Sequence, residues 1–147
     1  MRRTALVFTA LSCFAASLTA CSEETGNDGG GAVTTSGFEV RINPAPGRPA
    51  AGYGVIKGKP GLGITGASSP EAGRVELHIM EMSGEAMRMK KVDMLLVDSD
   101  GTLAFEKGGR HLMLFDVAED ADADGAMQIN FTLDNGTTLT TFADVKR

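Results

Sequence analysis

The chain has 147 residues, enough for one domain once an export segment is removed. Aromatics make up 5% and there is no Trp, so a core must rest on Val, Ile, Leu, Met and Phe, while 19 glycines favour turns and short strands over long helices. With 14 basic against 19 acidic residues the net charge is −5, which argues against a nucleic-acid binder and against a polybasic membrane-surface protein.

Residues 1–20 carry the features of an export signal. Arg2 and Arg3 form its positive start, and the apolar stretch over 5–16 is too short to span a bilayer. Leu18-Thr19-Ala20-Cys21 resembles a bacterial lipobox, in which Cys21 is lipidated and becomes the mature N-terminus. Ser22 behind it resembles the context of lipoproteins sent to the outer membrane. Processing would leave 12 basic against 19 acidic residues, a net charge of −7. Cys13 is lost with the signal and Cys21 is taken by the lipid, so the mature domain has no thiol and no disulfide. Any soft-metal chemistry then falls to thioethers.

Residues 21–36 are polar and Gly-rich and are expected to form a flexible tether, with the folded domain spanning 37–147. Alternating apolar and polar residues predict strands over 38–42, 53–57, 74–82, 86–92, 102–106, 110–117, 126–133 and 137–145. Asp134-Asn135-Gly136 is a strong hairpin signal. About eight short strands without a helical period predict an all-β sandwich or barrel.

Within the third of these strands, Val75, Leu77 and Ile79 take one face and His78, Met80 and Met82 the other. A tight turn on Ser83-Gly84 is expected to return the chain so that Met80 opposes Met87 and His78 opposes Met89. Directly opposed residues approach to roughly 5 Å at Cβ, close enough for one ion to bridge them. His111 and Met113 likewise share a face, with Leu112 and Leu114 turned to the core. These are the only two histidines, and each has Met two residues on. Alternate Met is common core filler and a His on a strand is commonly just hydrogen-bonded. Two imidazoles with two thioethers, in contrast, suit Cu(I), whereas Zn(II) takes thiolate, imidazole or carboxylate.

The spacing His78-x10-Met89-x21-His111-x-Met113 resembles the signature of the PCuAC-type periplasmic copper chaperones. The surrounding Gly73-Arg74-Val75-Glu76-Leu77, Met87-Arg88-Met89 and Gly108-Gly109-Arg110 are similar to that family's own phrases, and Ala50-Ala51-Gly52-Tyr53 resembles its first core strand. The resemblance covers roughly residues 38–145. It implies a cupredoxin-like β-sandwich holding one Cu(I) at an exposed site through His78, Met89, His111 and Met113. It also implies delivery to envelope copper proteins, most often for the CuA centre of cytochrome c oxidase. Met80 and Met87 fall outside the four-ligand motif and are auxiliary soft donors. The His- and Met-rich tail with which some relatives bind Cu(II) has no counterpart in Phe142-Ala143-Asp144-Val145-Lys146-Arg147, which leaves one copper expected.

No enzyme is expected, since Ser68 and Ser69 lack a nearby base with an orienting carboxylate. Gly61-Leu62-Gly63-Ile64-Thr65-Gly66 opens no helix that could cradle phosphate. Asp120-Ala121-Asp122-Ala123-Asp124-Gly125 resembles the start of a calcium loop, but Phe131 stands where the closing Glu belongs. A blue-copper carrier would need a thiolate that the mature domain lacks. A copper-buffering lipoprotein and a metal-free structural or protein-binding lipoprotein remain as alternatives.

Overall fold

The computed structural model describes residues 32–45, 47–121 and 123–147; the export segment, Cys21 and most of the tether lie outside them. Among the described residues all ten elements are strands: β1 (Thr34–Arg41), β2 (Ala50–Lys57), β3 (Gly63–Ser68), β4 (Ala72–Ser83), β5 (Ala86–Val92), β6 (Leu95–Leu96), β7 (Thr102–Phe105), β8 (His111–Val117), β9 (Ala126–Leu133) and β10 (Thr138–Lys146). Strands β4, β8, β2, β1, β10, β9 and β3 pair in that order, and β3 returns to β4, closing a seven-stranded barrel. Closure leaves these seven without a free edge. Strands β5, β6 and β7 pair outside this circuit with β4, β3 and β2. Among the described strands, the β1–β10 pair alone is parallel.

The all-β expectation holds, with two strands more than the sequence pattern suggested. Strand β3 reads Gly-Ile-Thr-Gly-Ala-Ser, where glycine blurs the alternation, and β6 is only two residues long. The segment expected to be tether through Ser36 is also shorter at its far end. Thr34, Thr35 and Ser36 already pair with Lys57, Ile56 and Val55, before a bulge at Gly37, whose φ of 60° favours glycine. The Asp134–Gly136 turn joins β9 to β10 as expected, with Leu133 N–H donating to Thr137 O at 2.9 Å.

The barrel is filled by inward residues of these strands, among them Val40, Ile56, Ile64, Leu103, Leu112, Leu114, Met127, Ile129 and Phe131, all fully buried. Phe38, Phe105 and Phe131 form a tilted aromatic cluster with centroids 5.3–5.9 Å apart. Strand β2 makes room for them. A Cβ on Gly54, where φ is +154°, would stand 2.5 Å from the Phe38 ring, and one on Gly52 would press on Leu112 at 3.1 Å. Ser69 is used locally: its hydroxyl donates to Glu71 at 2.8 Å in the turn before β4.

Strand β4 is the longest element, and it changes partners along its length. It pairs with β8 from Ala72 to His78 and with β5 from Leu77 to Ser83. Val75 has β8 on one side and Ala67 of β3 on the other, whereas Leu77 and His78 lie between β8 and β5. Beyond them the β4–β5 hairpin runs on without β8.

Candidate metal centre

Alternation along β4 sends Val75 and Leu77 into the core, at 9% and 2% exposure, and turns Glu76, His78, Met80 and Met82 outward. Register then decides what each outward side chain meets. His78 lies directly opposite His111 on β8, and Glu76 opposite Met113. On the other flank His78 faces Lys91, Met80 faces Met89 and Met82 faces Met87.

This corrects the expected hairpin register. His78 does not oppose Met89, and Met80 does not oppose Met87. The loop is Gly84-Glu85, closed by the Ser83–Ala86 pair, with Gly84 at φ 67°. A two-residue turn with glycine at its first central position is the II′ type, which matches strand twist; a Ser83-Gly84 loop would put glycine second. The register shifts by two residues and each side chain keeps its face. Met89 consequently sits diagonal to His78, on the order of 7–8 Å at Cα, instead of directly across.

The structure brings the two histidines together and flanks them. Their ring centroids are 5.9 Å apart at 38°. Met113 lies one rung away on the Glu76 side, and Met89 one rung away on the Met80 side. The imidazoles are recessed, His111 at 6% exposure and the His78 side chain at 12%, whereas Met89 is half exposed. Met side chains have three rotatable bonds, so both thioethers have the reach to fold toward the histidine rung.

Hydrogen bonds set the free nitrogen of each ring. His111 Nδ1 lies 3.0 Å from Gly109 O. A carbonyl only accepts, so Nδ1 carries the proton and Nε2 keeps its lone pair. The same Gly109 carbonyl accepts from Met80 N–H at 3.2 Å, which ties the loop before β8 to β4. His78 Nε2 lies 2.9 Å from Glu76 Oε2. The hydrogen bond from His78 holds the Glu76 carboxyl below its ordinary range; burial opposes this, and Lys91 and Arg74 add to it. An ionised Glu76 only accepts, so His78 Nε2 donates and Nδ1 bears a lone pair. Among the described residues, His78 Nδ1 is the buried side-chain polar atom without a hydrogen-bond partner. Leaving such an atom unsatisfied costs about 1–3 kcal/mol, and a metal ion would satisfy it.

Glu76 is the site residue that the sequence reading did not single out. A carboxylate behind a ligating imidazole fixes the tautomer and raises its basicity. Glu76-x-His78 on one strand face was the available signal. Arg74 closes the row, bonding Glu76 at 2.9 Å and lying 4.2 Å over the Phe115 ring.

Arg110, next to His111, grips Asp98 with two bonds of 2.8 and 2.9 Å. The hydrogen bond from Arg110 lowers the Asp98 carboxyl below its ordinary 3.8; desolvation opposes this, and the Arg110 charge adds to it. A carboxylate depressed on folding stabilises above its unfolded value and loses that contribution as pH falls through the folded one. Asp98→Asn should thus be less stable than wild type at pH 7, with the gap closing in acid. Urea midpoints at the two pH values test this, and a gap that persists in acid would show that charge is not its source.

The family described as "Putative lipoprotein LpqE-like" matches residues 33–145. No curated protein matches the chain. Among solved structures, a copper-bound PCuAC domain from PmoF2 superposes with a TM-score of 0.63 at 16% identity, covering 83% of this chain and 98% of that one. The solution structure of CuI-DR1885 from Deinococcus radiodurans gives 0.60 at 28% identity, covering 75% of each chain. Its apo form gives 0.57 at 27%, covering 100% of this chain and 97% of that one. The barrel is thus the cupredoxin-like fold of PCuAC domains.

Proposed function

The chain belongs to the LpqE-like family, whose fold is that of PCuAC domains, and from that premise we propose that it binds one Cu(I) and hands it to copper proteins of the cell envelope. The ligands are His78, Met89, His111 and Met113. The observation that carries this reading is the His78–His111 rung, with one buried nitrogen unpartnered and a carboxylate on the far side of its ring. Both copper-named neighbours, the PmoF2 domain and CuI-DR1885, support the choice of ion.

The donors select the metal. Two neutral imidazoles and two thioethers suit soft Cu(I). Among the described residues no three His, Cys, Asp or Glu side chains converge to hold a harder ion. Recessed imidazoles with a half-exposed Met89 favour stepwise ligand exchange. An acceptor displaces the outer thioether first, while the histidines still hold the ion. The role is carriage without a chemical reaction, and the acceptors include the CuA subunit of cytochrome c oxidase. On this reading Cys21 carries a lipid that keeps the domain at an envelope membrane, in line with the lipoprotein name of the family.

Glu76→Gln tests the site's construction. It keeps the shape of the side chain and removes the charge behind His78, so Cu(I) affinity should fall about 10–100-fold. Competition against a chromogenic Cu(I) chelator measures it. Unchanged affinity would mean that the carboxylate charge behind His78 does not tune the site, and failure to load an apo CuA domain would favour copper storage over delivery.

A further inference from the structure

The β4–β5 hairpin carries a row of sulfur of which the four-ligand site uses only Met89. Past His78 the hairpin leaves β8, and its two faces sort by chemistry. One bears Met80, Met82, Met87 and Met89; the other, beyond Ile79, which still packs against the core, bears Glu81, Arg88 and Lys90, with Lys90 3.5 Å from Glu81. Met82, Met87 and Met89 are 64%, 50% and 49% exposed. A hairpin end with no core beneath it gains nothing from long apolar side chains, and β-branched or charged residues would serve its pairing as well.

The register makes these methionines into pairs. In a two-residue turn the closing pair, here Ser83 and Ala86, exchanges hydrogen bonds, so the next pair is the non-hydrogen-bonded kind. That places Met82 opposite Met87, and two residues on Met80 opposite Met89, at the closer spacing of about 4.5 Å between Cα atoms. The Met82–Met87, Met80–Met89 and His78–His111 rungs follow one another at roughly 7 Å intervals along a single face. Soft donors therefore run without a break from the hairpin tip to the histidines.

We infer that Met80, Met82 and Met87 form a second, weaker subsite for a soft monovalent cation, from which the ion steps to the histidine rung by way of Met89. It rests on the copper reading for the identity of the ion alone. Thioethers are neutral and bind without releasing protons, so the subsite takes Cu(I) or Ag(I) and discriminates against hard divalent ions.

The test is a titration of the whole protein, labelled at its methionine methyl carbons, with Ag(I) as a redox-inert probe. The first equivalent should move the Met89 and Met113 signals and the second those of Met82 and Met87. The variant Met82→Leu with Met87→Leu should keep first-equivalent affinity within about threefold, as expected for sites that do not share ligands, and lose the second equivalent. Both side chains lie in solvent, so folding is not at stake. Unmoved Met82 and Met87 signals at two equivalents, or a double variant that still takes two ions, would overturn the subsite. Shifts at Met82 and Met87 with none at Met89 and Met113 would uphold it while removing the four-ligand site, so the two failures are distinct.

Discussion

Replacing Met89 and Met113 together with leucine should lower Cu(I) affinity by more than about a hundredfold, because loss of ligands must exceed the 10–100-fold lost with a supporting partner. Leucine is close to methionine in volume, so stability should change by under about 1.5 kcal/mol per site. Strand β8 keeps its core through Leu112 and Leu114, which remain fully buried. The substitution thus separates metal from fold. Chelator competition and a thermal melt of the same preparation give both numbers. Affinity within a few-fold of wild type would remove the thioethers from the site, and a collapsed melt would assign them to structure.

The largest effect on stability is expected from Phe131→Ala. Phe131 is fully buried, and its ring meets Phe38 at 5.3 Å and Phe105 at 5.8 Å. It belongs to β9, which pairs with both β10 and β3, so the cavity would open beneath a strand flanked on both sides. Truncating a buried Phe costs about 3–5 kcal/mol. For a domain of this size that lowers the melting midpoint on the order of 10–20 °C. A shift of only a few degrees would mean that the cluster collapses to fill the space.

Much of the site was legible in the sequence because strand alternation is local. His78 with Met80, and His111 with Met113, could be placed on outward faces from period two alone, as could Leu77 and Leu112 on the inward one. Register was not legible to the same degree. The two-residue shift at Gly84 follows from backbone twist, which the hydrophobic pattern does not encode. The pairing of His78 with His111 joins strands separated by three others in sequence. It depends on how the barrel closes, and barrel closure leaves no mark on neighbouring residues. Glu76 escaped notice for a related reason: a charged residue on an outward face is ordinary until its partner is known. Strand β3 was hidden by its glycines, which carry no side chain to alternate.

The proposed site binds one Cu(I) ion through nitrogen and sulfur together. Copper K-edge X-ray absorption of the protein loaded with one equivalent measures that ligation directly. Two imidazole nitrogens and two thioether sulfurs are expected, with the imidazole scattering lost in His78→Ala with His111→Ala. A shell of sulfur alone would place the ion on the hairpin methionines instead, and a shell of nitrogen and oxygen alone would contradict the four-ligand site.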